Sequence, residues 1–262
     1  MFFWIYDYPT WAMAWLFTLA FMAFAVGGLL LFRATLHGWL HRGGRANEMV
    51  GHAMSSFAIL YGLLLGLLAV AAYTNYSVMG DQVSREAVSL GTLYRDLSGL
   101  PQPARAELEG KLRRYTREVI DVSWPAQRRG QVPTTASPIL DDFNEQLHAF
   151  KPADDGAAAL HAEAISQAND LVELRGQRLA NVNTGIPPIL WWVVLLGALV
   201  NTMLLWMVDT DKHVHIMLTG LLSAFTGLVI FLVAAMDYPF RGQVAIDAQP
   251  FEQVYATVMT GN

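Results

Sequence analysis

The chain has 262 residues, 54% of them hydrophobic, 15% charged and none cysteine. Soluble domains average roughly 25% charged residues, so the composition argues against a soluble one-domain enzyme. The missing cysteine excludes disulfides, thiolate metal sites and cysteine nucleophiles. The formal charge of −5, from 17 Lys and Arg against 22 Asp and Glu, gives no basic footprint for nucleic acid.

The charge shortage is uneven. No Asp, Glu, Lys or Arg occurs in 8–32, 49–80, 179–208 or 213–236. Each gap reaches the roughly 20 apolar residues that cross a bilayer. The first block, 11–32, is preceded and opened by aromatic residues, among them Phe2, Phe3, Trp4, Tyr6, Tyr8, Trp11 and Trp15. Such rings favour the membrane interface. Residues 1–10 contain no Lys or Arg, so the block reads as a retained helix and not as a secretory signal. The second block covers 49–73. The third starts at Pro187-Pro188, suited to a first helical turn, and runs to 208. The fourth covers 214–236. The expected fold is all-α, with four transmembrane helices in two hairpins: 1–76 and 187–236.

Between the hairpins lies a polar insert, 77–186, expected to form a helical extramembrane domain. It carries twelve Lys and Arg against fifteen Asp and Glu, interspersed as on a solvated helical surface. Val83, Ala87, Leu90, Leu93 and Leu97 form a helical stripe, stopped by Gly99 and Pro101. No breaker separates this stripe from the second membrane block, so one rod is expected over 49–98. Leu108, Leu112, Tyr115 and Val119 form the next stripe, ended by Pro125. Ser137-Pro138 reads as an N-cap with proline at the first helical position, ahead of Leu140, Phe143, Leu147 and Phe150. Asp154 or Asp155 caps a last helix striped by Leu160, Ala164, Leu171, Leu174 and Leu179. The tail, 237–262, with Pro239 and Pro250, is expected to be extended or irregular and extramembrane.

Arg33, Arg42 and Arg45 crowd the first short loop, whereas the N-terminal segment has no basic residue. Basic residues beside membrane helices bias a loop to the cytoplasm. The N-terminus, insert and tail are therefore expected outside, and the short loops inside.

Three constellations invite a chemical reading. His37 and His41, with His52, Asp209, Asp211, His213 and His215, collect near the short loops. Imidazole and carboxylate together suit a divalent metal, and histidine titrates near neutral pH. Their spacing matches no metal pattern, and solvated loop residues are the reading adopted; no metal or cofactor is assigned. The second block carries Ser55, Ile59, Gly62, Gly66, Ala69 and Tyr73 along one strip, with Ser56, Leu60, Leu63, Leu67, Val70 and Thr74 beside it. Two readings stand: a pore-lining helix with an apolar constriction, and helix packing through the small-xxx-small pair Gly62 and Gly66. Gly220 and Gly227, with Thr219, Ser223 and Thr226, mark a packing face on the fourth block. No charge sits mid-membrane, which argues against a proton-coupled transporter. There is no phosphate loop, nucleophile elbow or His-Glu-x-x-His, so no catalytic residue is assigned.

The run from Tyr61 through Leu108 resembles the bestrophin-like membrane proteins of bacteria: a glycine-bearing second helix, Glu86-Ala87, Gly91-Thr92 with Tyr94, and a Leu100-Pro101 stop. Trp124-Pro125, Pro187-Pro188 and the late Asp237, Pro239, Phe240 and Gly242 fit the same pattern. The resemblance extends distantly to true bestrophins, pentameric chloride channels. It implies a homo-oligomer in the bacterial inner membrane, with a pore lined by the second helix through Ser55, Ile59, Gly62, Leu63 and Gly66, and inorganic ions as its cargo, anions before cations. The neck would lie near Ser55, Ile59 and Leu63. Here its aromatics are replaced by aliphatics, and the acidic calcium-clasp stretch is missing. The large domain of bestrophins is cytosolic, whereas the charge count above places the insert outside. The rival readings are a non-conducting sensor or scaffold acting through a partner protein, and a motor-stator-like complex, which would need an acidic partner site.

Overall fold

The computed structural model describes residues 3–40 and 46–260, and no strand occurs among them. The side chains of 36–40 and Ala46 are not described. His37, His41, Arg42 and Arg45 therefore lie outside the described side chains or residues. The helices are α1 (Thr10–Leu40), α2 (Ala46–Asp96), α3 (Ala104–Glu118), α4 (Trp124–Arg128), α5 (Ser137–Ala149), α6 (Asp155–Ala180), α7 (Pro188–Met207), α8 (Lys212–Met236) and α9 (Gln249–Val254). Four helices are long and apolar enough to cross a membrane: α1, α2, α7 and α8. Helix α2 continues unbroken for 51 residues, well past its apolar block.

The chain divides into two compact units. The first, Met1–Thr74 with Gly185–Asp237 and Gly242–Val244, holds the apolar helices. Here α1 packs mainly along α8, and α7 lies against both. Glycine sets the α1–α8 approach: a Cβ on Gly227 would lie 2.8 Å from the Phe17 carbonyl oxygen. At Gly220 the same atom would meet Met22 and Val26 at ordinary contact distance. Helix α2 meets α7 through Tyr61, whose ring edge fills the space over Gly197 and whose hydroxyl donates to Val194 O at 3.1 Å. Arg33 of α1 and Asn47 of α2 both bond to the connection between α7 and α8. Arg33 donates to Thr210 O at 2.8 Å, and Asn47 exchanges two hydrogen bonds with the Asp209 backbone.

The second unit, Asn75–Thr184 with Tyr238–Arg241 and Ala245–Asn262, is built on the stripes read from the sequence. Val83, Ala87, Leu90, Leu93 and Leu97 of α2 are buried with Leu108, Leu112 and Tyr115 of α3 and Leu140, Phe143 and Leu147 of α5. Asp154 caps α6, accepting from Ala157 N at 2.7 Å.

Four local expectations are corrected. Pro125 does not end the second insert helix. A π-helical turn over Val119–Ser123 takes up the mismatch, and Pro125 opens α4, where its missing N–H is no loss. Ser137 is the first residue of α5 and not its cap; its hydroxyl accepts from Arg175 Nη2 at 2.7 Å. The buried stripe of α6 is Ala164, Ala168, Leu171 and Arg178, while Leu160 is exposed and Leu174 and Leu179 are half-buried. Alanines let α6 approach the core closely, and the arginine on this stripe has a partner there, described below. The tail is not irregular throughout: Pro250 opens α9, a π-helical turn follows over Tyr255–Met259, and Phe251 and Met259 are buried in the second core.

Candidate functional site

Between residues 49 and 80 α2 has no ionisable Asp, Glu, Lys or Arg. Its apolar stretch is divided lengthwise. Tyr61, Leu65, Leu68 and Ala72 recur at helical spacing and are buried in the first unit's core. Phe57 stacks on Tyr61, with ring centroids 5.9 Å apart. The opposite side is open within the chain. It contains the proposed pore residues Ser55, Ile59, Gly62, Leu63 and Gly66, with Leu60, Leu67, Val70 and Tyr73 beside them. Ile59 is 72% exposed and Leu63 60%. A Cβ on Gly62 or Gly66 would meet nothing within 4 Å. The Ser55 hydroxyl turns back to its own helix, donating to Gly51 O at 2.9 Å.

This open face is apolar, smooth at the two glycines, and one turn apart at Ile59 and Leu63. Its one titratable imidazole is His52, exposed one turn before Ser55 at the start of α2; from Ser55 to Gly66 the face holds no Asp, Glu, Lys, Arg or His. Among the described residues no set of three or more His, Asp or Glu is close enough to hold a metal ion. His215 is buried in α8, with Nε2 2.8 Å from Leu205 O. The lone acceptor there makes Nε2–H the donor.

Two polar clusters lie away from that face. In the first unit, Asp237 follows α8 directly and accepts from Ile186 N and from Trp191 Nε1, the latter at 3.1 Å. It therefore ties the exit of α8 to the entry of α7. Burial raises its pKa above the ordinary aspartate range, against the lowering effect of those two hydrogen bonds. In the second unit, Arg178 and Glu86 form a two-pronged ion pair at 2.6 and 2.9 Å, with the residues 1% and 0% exposed. The guanidinium carbon lies 5.2 Å from the Trp124 ring centroid and 5.7 Å from that of Phe251. Burial works against the Arg178 charge, but Glu86 outweighs it and holds the pKa above the usual arginine value. Tyr115 beside them is pushed up by burial and then by the Glu86 charge.

Sequence reasoning singled out the open strip of α2 but not its anchor, Tyr61, or the Gly197 gap that receives the ring. In the sequence, Glu86 and Asp237 stand out only as parts of the family pattern. A usable signal existed for Glu86: it lies within the buried stripe of Val83, Ala87 and Leu90, where a carboxylate requires a partner.

The sequence matches the Bestrophin-like domain family over residues 19–251. No curated protein sequence matches the chain. Among solved structures, a bacterial bestrophin homologue from Klebsiella pneumoniae superimposes with a TM-score of 0.67 at 16% identity, covering 93% of this chain and 98% of that one. Another point-mutant form of that homologue gives 0.68 at 15%, covering 94% and 99%. Its structure solved by zinc phasing gives 0.61 at 17%, covering 91% and 96%. At such identities the likeness is one of fold, and it extends over the apolar helices and the helical insert together. With the family pattern matched across most of its length, the chain belongs to the bestrophin-like domain family.

Proposed function

We propose that the chain forms a ring of identical copies, five in number, around an axial pore, and that it passes inorganic ions passively, anions before cations. Family membership supports ion conduction in general. The observation that carries the reading is the open face of α2. A helix with one apolar side anchored through Tyr61 and the other bare meets lipid, a neighbouring copy or a lumen. Lipid alone gives no reason for two glycines one turn apart, since glycine lowers helix propensity. Close approach between copies gives one. In a ring, Ile59 and Leu63 would form two stacked apolar constrictions beside Gly62, with Ser55 one turn from Ile59. Such constrictions gate by dewetting. Gly62 and Gly66 would pack neighbouring copies, while Gly220 and Gly227 pack α8 on α1 within each copy. The number of copies and the preference for anions rest on the resemblance to bestrophins, since no charged ring lies along 49–80.

The protein would sit in the bacterial inner membrane as a multi-pass protein. The charge of the first short loop supports the N-terminus and the insert on the exterior face. The connections joined by Arg33, Asn47 and residues 209–210 would share the inner face.

Flux through reconstituted liposomes tests the proposal, with native mass and particle symmetry measured on the same sample. Ile59→Ser with Leu63→Ser should raise ion flux if the two side chains form a dewetting gate. On a buried packing face the same change only destabilises, by about 2–5 kcal/mol for each large truncation. A folded double variant as silent as protein-free liposomes, beside an equally silent wild type, overturns the channel reading. That result would favour a non-conducting scaffold that acts through a partner.

A further inference from the structure

We infer that the second unit carries a binding site for a small dianion, a phosphate ester or a dicarboxylate, in a cavity walled by the end of α2, by α3 and by the turn that follows α9. The inference is independent of ion conduction. The cavity has a volume of about 700 Å³, within the range of about 300–1,000 Å³ usual for ligand pockets. Tyr94 and Arg95 line it from α2, Arg105, Glu109 and Arg113 from α3, and Tyr255 from the C-terminal turn.

The charges in this cavity do not cancel. Glu109, buried on α3, takes Arg105 Nε on one oxygen at 2.7 Å and Arg113 Nη2 on the other at 3.3 Å. Arg113 Nε also donates to the Tyr94 hydroxyl at 2.9 Å, and Arg105 Nη1 donates to Ser98 O at 3.1 Å. One carboxylate thus fixes two guanidinium groups, and each of those keeps unused N–H donors, because a guanidinium has five. Arg95 lines the same space, is exposed, and makes no hydrogen bond or ion pair with a described residue. Three guanidiniums face one carboxylate, leaving two positive charges over.

That surplus is local. The insert as a whole carries more acidic than basic residues, fifteen against twelve. Two other cavities of the same unit contain their own compensation. One sets Arg85 beside Asp170 and Glu173, and the other sets Arg128 and Arg129 beside Asp247 and Glu252. A solvated helix surface would be expected to distribute its charges in that way. The cavity at Arg95 instead concentrates arginine on a concave wall, and guanidinium forks match carboxylate and phosphate oxygens two at a time. A ligand with two negative charges would neutralise the surplus. Tyr255, with Val258 and Met259, supplies an apolar side, so the anionic head should be attached to a small organic body.

Isothermal titration of the full chain in detergent provides the test, with phenyl phosphate and succinate as probes. Wild type should bind at least one of them saturably, and the tighter of the two identifies the preferred head group. Arg95→Ala should weaken that binding about tenfold or more, as expected for loss of hydrogen bonds to a charged group. Its thermal unfolding should be unchanged, because Arg95 supports no other residue. Arg85→Ala, in the cavity where carboxylates outnumber arginine, should bind as wild type does. Absence of saturable heat with both probes overturns the site. So does an Arg95→Ala variant with wild-type affinity, and so does an equal loss in Arg85→Ala, which would mark the binding as general charge attraction.

Discussion

Gly197→Ala tests what holds the α2 face in place. The structure puts the added Cβ 2.5 Å from Tyr61 Cε2 and 2.6 Å from Cδ2. Carbon atoms pack at about 3.5–4.0 Å, so the ring or the helix must retreat by about 1 Å. The ring has little freedom to do so. It is buried, stacked on Phe57, and tethered by its hydroxyl to Val194 O. Overpacking of this kind costs about 1–3 kcal/mol, and loss of the tether adds about 0.6 kcal/mol. The better helix propensity of alanine returns up to about 1 kcal/mol. The expected net loss is about 1–2 kcal/mol, read as a fall of about 2–4 °C in melting temperature for each kcal/mol. A double-mutant cycle isolates the contact. Against Tyr61→Ala, which vacates the space, Gly197→Ala should be neutral or stabilising, giving a coupling energy of about 1–3 kcal/mol. Equal effects of Gly197→Ala in both backgrounds would refute the claim that this ring and this glycine position α2.

Gly227→Ala should lower the melting temperature, because its Cβ would stand 2.8 Å from the Phe17 carbonyl oxygen, and backbone cannot swing aside. Gly62→Ala meets no atom within the chain, so dispersed protein should gain up to about 1 kcal/mol of helix stability, while native mass spectrometry should register weaker assembly if copies cross there. Glu86→Ala should cost about 3–5 kcal/mol by leaving the Arg178 charge buried and unpaired, whereas Glu86→Leu with Arg178→Met should recover most of that loss; chemical unfolding of wild type and these two variants gives the answer. For Asp237, burial raises the folded pKa above the unfolded value. The folded state therefore binds the extra proton in the interval between the two values, and stability from this group falls as pH rises through it. The melting-temperature difference between Asp237→Asn and wild type should shift in favour of the variant on going from acidic to neutral pH, and a shift in the opposite direction would refute the assignment.

The element boundaries were largely legible because two periodic signals were strong. Runs without charge locate α1, α2, α7 and α8, since the bilayer imposes a length on each. Apolar stripes locate the insert helices, since each must bury one face. Proline was read less well. Pro125 reads as a helix end and Pro250 as part of an irregular tail, yet each sits in the first turn of a helix. A proline marks a helix start or a helix end according to whether the turn before it can close without its N–H. At Pro125 that turn is a π-helical one, which leaves no mark in the apolar spacing.

Which helix packs on which was much harder to read, and the reason is physical. A membrane helix is apolar all round, so periodicity does not point to its neighbour. Packing between such helices depends on close approach and not on hydrophobicity. Gly227 and Gly197 both permit it, but only the first lay among threonine and serine residues that marked a face. The polar residues of the cores tell a related story. Glu86 lies on the buried side of α2 and Asp237 directly after α8, and burying either charge requires a partner. The sequence thus poses the need for a counter-group without giving its address. Arg178 stands 92 residues from Glu86, and it lies on the stripe buried at Ala164, Ala168 and Leu171, not on one that runs through Leu160, Leu174 and Leu179. A stripe that continues from Leu171 through Leu174 and Leu179 turns the end of that helix, and so misses the arginine that makes a buried Glu86 tolerable.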